Sequence, residues 1–146
     1  MTRSDNKLVS AAAIDLGSNS FHMVVARLDH GELQVVDRVR ERVALAEGLD
    51  SQRNLTPAAW ERALECLSRF GQRLRDMPRG SVRAVGTNTL RAARNARAFL
   101  AAAEKALGYP IDVIPGVEEA RLIYLGVAHH HPNEAPRRLV IDIGGG

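Results

Sequence analysis

Two short phrases of the same design carry the chemistry of this 146-residue chain. Ile14-Asp15-Leu16-Gly17-Ser18 stands near the start, and Ile141-Asp142-Ile143-Gly144-Gly145 near the end. Each is an apolar stretch ending in a carboxylate and a turn of small residues. Glycine lets a phosphate approach the backbone N–H groups closely, and Ser18, Asn19 and Ser20 add short donors to the first turn. The second turn offers Gly144, Gly145 and Gly146, a costly choice for a mere loop. A carboxylate repels phosphate by itself. It belongs beside one when it holds a metal ion or a catalytic water. For either phrase alone, the plainer alternative is a hairpin turn with a satisfied aspartate. Together they predict a cleft with a phosphate-gripping wall on each side.

Two more segments share this character. In Gly86-Thr87-Asn88-Thr89-Leu90-Arg91 a strand gives way to a helix, so unpaired N–H groups and the helix dipole face the strand-end rim. Arg91 can grip phosphate bidentately there, while Arg94 and Arg97 read as a solvated face. In Pro115-Gly116-Val117-Glu118-Glu119-Ala120-Arg121 two acids occupy a first helical turn, where the dipole favours an anion. An acid at that rim could take a proton from water attacking phosphorus. Successive helix residues point about 100° apart, so only one of Glu118 and Glu119 aims inward. The run His129-His130-His131 reads as a helix C-terminal cap, because three adjacent residues cannot all reach one ion.

The pattern of apolar residues shows what must position these groups. Leu8–Asp15 and Phe21–Asp29 read as strands joined by the Gly17–Ser20 turn, and Glu32–Val43 as a third strand after the His30-Gly31 turn. Arg38, Arg40 and Arg42 give the third a half-exposed or edge position. Thr56-Pro57 opens a helix with the stripe Trp60, Leu64, Leu67, Phe70 and Leu74, which Pro78 and Gly80 end. Val82–Gly86 is a short, largely apolar strand suited to a central parallel position. A helix over 95–107, a strand over 111–114 and a helix from Val117 to about His130 follow, the last with Ala120, Ile123, Tyr124 and Val127 facing a core. Leu139–Ile143 reads as one more strand, but with no sheet of its own to join it is expected to be poorly anchored or to pair with a foreign edge. Three antiparallel strands feeding strand–helix crossovers make an α/β, ribonuclease-H-like lobe.

Composition fits such a lobe. Hydrophobic residues make up 45% and charged residues 25%, which is globular. Aromatics at 4% leave no base-stacking platform for nucleic acid. A net charge of +3 suits an anionic ligand. The single cysteine, Cys66, lies among apolar helix residues as a small buried hydrophobe. No apolar run is long enough to span a bilayer or to form a signal core with its flanks, so a cytoplasmic location is expected.

The sequence resembles the exopolyphosphatase / guanosine pentaphosphate phosphohydrolase family. The likeness rests on Ala13-Ile14-Asp15-Leu16-Gly17-Ser18-Asn19-Ser20-Phe21-His22, Gly86–Arg91, Gly116-Val117-Glu118-Glu119-Ala120-Arg121-Leu122-Ile123 and Leu139–Gly146, in that order. The Gly-Ser-Asn-Ser continuation separates it from sugar kinases and actin-like ATPases that share only Asp-x-Gly. The resemblance implies a two-lobed enzyme of the actin-like ATPase superfamily. Such an enzyme releases terminal phosphate from inorganic polyphosphate, or the 5′ γ-phosphate from guanosine pentaphosphate, with Mg²⁺. It implies Glu119 as catalytic base, Asp142 near the metal and the attacking water, and Asp15 and Asp142 in the two phosphate loops beside the metal. It makes Gly17, Ser18, Asn19, Ser20, Asn88, Arg91, Gly144, Gly145 and Gly146 the phosphate-binding set.

The expected division is a disordered N-terminus at 1–7, the ribonuclease-H-like lobe at 8–131, a linker at 132–138, and the first strand and phosphate loop of a truncated second lobe at 139–146. Family members continue past the glycines, so the fragment alone is expected to be inactive. The expected partners are the polyphosphate or guanosine pentaphosphate substrate, the missing second lobe of the same enzyme and, for the parent, a second copy in a homodimer. Neither nucleic acid nor membrane is expected. Two other classes fit the loops: an actin-like-fold small-molecule kinase using ATP, and a non-catalytic alarmone-binding sensor that needs no base.

Overall fold

A computed structural model describes residues 9–30, 32–131 and 137–145. The expected disordered segment 1–7, the strand start at Leu8, the turn residue Gly31, the linker core 132–136 and Gly146 lie outside the described residues. Five strands form one mixed sheet in the order β3-β2-β1-β4-β5. β1 is Val9–Leu16, β2 Ser20–Asp29, β3 Glu32–Arg42, β4 Val82–Gly86 and β5 Ile111–Val113. β1, β2 and β3 run antiparallel in turn, whereas β4 runs parallel to β1 and β5 parallel to β4. This is the ribonuclease-H-like arrangement, with β3 on the edge and β4 between two parallel neighbours. Four helices complete the lobe: α1 Pro57–Leu74, α2 Asn88–Ala92, α3 Ala96–Leu107 and α4 Gly116–His130. Among the described residues no helix is long and apolar enough to cross a membrane.

The core lies on one face of the sheet. The period-2 alternation of β1 sends Ala12, Ile14 and Leu16 inward and leaves Ala11, Ala13 and Asp15 on the opposite face. Phe21 and Met23 of β2 join the inward set, and Leu67, Phe70 and Leu74 of α1 and Phe99, Ala103 and Leu107 of α3 close over it. Thr56 caps α1 as its sequence signature requires, its hydroxyl accepting the Ala59 N–H at 3.4 Å, with Pro57 in the first turn. Of the stripe predicted for α1, Leu67, Phe70 and Leu74 are buried and Trp60 and Leu64 sit at the margin, where Trp60 meets Phe99 edge-on. Cys66 is buried, as expected. Tyr109 ties the ends of two helices together by donating its hydroxyl to the carbonyls of Leu74 and Met77.

The facing of β3 matters for the site. A β-bulge interrupts its pairing with β2: Val25 opposes Asp37 and Ala26 opposes Val35, leaving Val36 as the extra residue. Beyond the bulge, Asp37 and Glu41 face α1, where Arg73 and Arg69 pair with them at 2.9 and 2.5 Å. Arg38, Arg40 and Arg42 therefore face the other way.

One expectation fails outright and another holds in part. The stripe Ala120, Ile123, Tyr124 and Val127 was predicted to bury α4 in the core, yet no α4 residue is buried. The helices α1 and α3 cover one sheet face only, and α4 projects past it with its apolar side toward a cleft. The predicted strand Leu139–Ile143 has no regular structure, and Leu139, Ile141 and Ile143 are 83%, 73% and 90% exposed. An extended segment with no neighbouring strand cannot satisfy its N–H and C=O groups as a ladder.

Candidate active site

Three parallel strands ending at one edge put three loops on one rim. Leu16 pairs with Gly86 and Gly86 with Val113, so the loops after β1, β4 and β5 leave the sheet side by side. They enclose one side of a cleft of about 1040 Å³. Asp15, Gly17, Ser18, Asn19, Ser20, Asn88, Arg91 and Glu119 all line it, and Asp142, Gly144 and Gly145 line it from the chain end. Every expected site residue within the described residues thus borders a single space.

The first loop is braced from behind. Val43 and Ala44 both donate backbone N–H groups to the Asn19 carbonyl, at 3.0 and 2.8 Å, and Ala46 donates to the Ser18 carbonyl at 2.9 Å. Ala44 adopts a left-handed φ of 51° to bring this about, which costs a non-glycine residue about 1–2 kcal/mol. Gly17 is needed for a close approach, because a Cβ there would lie 2.8 Å from the Ser20 carbonyl oxygen. Ser18 and Ser20 are buried rather than open donors. The Thr89 hydroxyl donates to Ser18 Oγ at 2.8 Å, which couples the first loop to the second. Arg40 Nε donates to Ser20 Oγ at 3.4 Å.

The second loop departs from expectation in one respect. α2 is only five residues long, and Thr87 makes no side-chain cap. It supplies N–H groups to the rim, without the accumulated dipole of a full helix. Arg91 sits in that short helix and reaches across to the third loop. Its Nη1 donates to the Ile114 carbonyl at 2.8 Å and to Glu119 Oε2 at 3.0 Å. Arg94 and Arg97, read as solvated, do not line the cleft.

Glu118 and Glu119 separate as helical geometry requires. Glu118 pairs with Arg121 at 2.7 Å on the outside of α4, and that bond holds its carboxyl below the usual range. Glu119 faces the cleft. Asp15 lies opposite, with its carboxyl raised above the ordinary value. Burial is the main cause; nearby His22 works against it, and the negative charges of Glu119 and Asp142 add to it. Asp15 therefore feels the negative charge of both other carboxylates across the cleft. Gly145 comes so close to the first loop that a Cβ on it would lie 2.9 Å from Asn19 Cβ.

Sequence reasoning missed several cleft residues. His22 and Arg40 line it because they continue a transverse row from Asp15: Asp15 opposes His22, and His22 opposes Arg40. Tyr124, assigned to a core stripe, is an aromatic side chain in the cleft. Arg138 also lines it, and among the described residues its Nη1 is buried without a partner. Their signal is weak, since register and helix facing depend on packing beyond the local pattern. At the far end of α4, His130 Nδ1 lies 2.9 Å from the Gly126 carbonyl.

A family model described as the Ppx/GppA phosphatase family matches residues 24–146. Among solved structures, an exopolyphosphatase from Cytophaga hutchinsonii is 30% identical with a TM-score of 0.86, covering 94% of this chain and 44% of that one. The PPX-GPPA enzyme of Aquifex aeolicus is 26% identical with a TM-score of 0.80, over 88% of this chain and 43% of that one. An exopolyphosphatase-like protein is 33% identical with a TM-score of 0.71, over 78% of this chain and 35% of that one. The chain thus spans well under half the length of each of these structures.

Proposed function

Because the chain belongs to the Ppx/GppA phosphatase family, we propose that its cleft is half of a phosphoanhydride hydrolase site. The substrate is inorganic polyphosphate, guanosine pentaphosphate or both, and terminal phosphate is released. The observation that carries this reading is the convergence of Asp15, Arg91, Glu119 and Asp142 on one cleft floored by a glycine–serine loop.

Each residue has a role its chemistry suits. Glu119 accepts a proton from the attacking water. A bond then forms between the water oxygen and the terminal phosphorus, and the bridging P–O bond breaks, so the shortened chain leaves with the electron pair. Arg91 fixes the Glu119 carboxylate through its 3.0 Å contact and presents its remaining N–H groups to the phosphate. The turn 17–20, Asn88 and the glycines of the second phrase hold the phosphate oxygens, and Asp142 helps orient the water. Tyr124 gives a guanine ring one surface to stack on, which keeps guanosine pentaphosphate alongside the chain polymer.

Asp15 and Asp142 suit Mg²⁺. Among the described residues no cluster of three or more metal-ligating side chains is present. Two facing carboxylates, with water and substrate oxygens completing the shell, are what Mg²⁺ usually takes from a protein. Burial raises the Asp15 carboxyl most and the charge of Asp142 adds to it, so a cation between them would favour the ionised pair. When bound, the ion would offset phosphate charge.

A second lobe, opening with the loop at Asp142, completes the cleft in this reading, and the work is cytoplasmic. The test is phosphate release by the full-length protein. Glu119→Gln should abolish turnover while polyphosphate binding persists; Glu118→Gln should leave turnover within about twofold. Equal effects of the two changes would sink the proposal.

A further inference from the structure

The arginines of β3 are aimed by a bulge. Without the extra residue Val36, the hairpin count from the Asp29–Glu32 pair would set Val39 opposite His22 and turn Arg40 toward α1. One added residue flips every side chain beyond it to the other face. The result is a row of Arg38, Arg40 and Arg42 on the face that carries Asp15 and His22. Bulges of this kind re-aim side chains beside active sites.

These three are not equivalent. Arg42 is already engaged, with Glu47 at 2.6 Å and with Asn19 Oδ1 at 3.3 Å. Among the described residues, Arg38 and Arg40 have no carboxylate within 4.0 Å. Arg40 lines the cleft, and among the described residues its only side-chain bond is to Ser20 Oγ, at the long distance of 3.4 Å. Two strand spacings, about 10 Å, separate it from Asp15. Its guanidinium meets the phosphate turn at that turn's last residue, Ser20, a position that suits phosphates further along a chain than the one held by Arg91. Arg38 lies two residues on along the same face.

We infer that Arg40, backed by Arg38, forms an outer phosphate subsite that grips the later phosphates of an extended polyphosphate and so favours long chains over short ones. The inference rests on the proposed hydrolase reading and assigns it a direction: the chain leaves the cleft across His22 toward the β3 edge. Edge arginines also guard a sheet against unwanted pairing. That role alone would carry no preference for chain length.

The test uses the full-length protein and measures binding of long-chain polyphosphate and of tripolyphosphate by competition with a fluorescent chain at fixed salt. Arg40→Gln should weaken long-chain binding about tenfold, the loss of one charge-assisted contact, and leave tripolyphosphate within twofold. Arg40→Lys should recover most of the long-chain affinity, and Arg97→Gln, which removes a distant charge, should change neither. Equal losses on both lengths, no loss, or an equal loss for a single-stranded oligonucleotide would overturn the inference. Binding needs no turnover, so if Glu119→Gln leaves phosphate release intact the hydrolase reading fails while the Arg40 result still stands or falls alone.

Discussion

The contact between Arg91 and Glu119 can be tested as a coupling energy. Arg91 Nη1 sits 3.0 Å from Glu119 Oε2 and 2.8 Å from the Ile114 carbonyl, with the two side chains 29% and 27% exposed. A charge-assisted bond of this kind contributes about 1.5–3 kcal/mol when dry, and exposed ion pairs about 0.2–1 kcal/mol. The intermediate exposure points to a coupling of about 1 kcal/mol. Arg91→Gln should cost more than that alone, because it also leaves the buried Ile114 carbonyl short of a donor. The assay is a double-mutant cycle of Arg91→Gln and Glu119→Gln in the full-length protein, read by urea unfolding, with phosphate release measured for Arg91→Gln alone. In turnover, Arg91→Gln should lower kcat/KM about 30-fold for a loss of about 2 kcal/mol. Additivity within about 0.3 kcal/mol in the unfolding cycle would show that Arg91 does not hold Glu119.

Three further outcomes follow from the same geometry. Asp15→Asn should abolish turnover by at least about a hundredfold while raising the urea midpoint at neutral pH. The folded protein binds a proton at Asp15 that the unfolded chain has released, so stability falls as pH rises from the ordinary carboxylate value through the raised one. The substitution should flatten that slope. Gly145→Ala should slow phosphate release without lowering the unfolding midpoint, because the new Cβ would press on Asn19, 2.9 Å away, outside the core. The Cys66 thiol, pushed up to about 12 by burial and by the neighbouring Glu41, should resist an aromatic disulfide reagent at pH 8 until the protein is unfolded.

The sheet and its rim are legible in the sequence because their signals are local. A strand that ends in Asp15 before Gly17, a strand that ends at Gly86, and a proline–glycine turn before Glu119 each announce a strand end. Parallel topology then brings the three ends to one edge. Helical spacing alone separates Glu118 from Glu119, though only the Arg91 and Arg121 contacts say which one faces the cleft. What is not legible depends on non-local packing. The bulge at Val36 decides which face Arg40 takes, and nothing in the alternation of β3 marks it. The stripe on α4 has a core-facing pattern but no surface among the described residues to bury against, so Tyr124 ends up in the cleft. The apolar run at Leu139 reads as a strand because its neighbours are apolar, and strand formation waits on a partner that hydrogen-bonds to it. Ser18 and Ser20 show a smaller version of the same limit. Their type predicts donors to a ligand, while their burial commits their oxygens to Thr89 and Arg40.

The most direct measurement is a crystal structure of the full-length protein with a non-hydrolysable polyphosphate analogue. Its terminal phosphate should lie between the turn at Gly17, Arg91 and Glu119, with the chain running past His22 toward Arg40. Density for that phosphate anywhere else, with the rim of Asp15 and Glu119 empty, would contradict the assignment of the cleft.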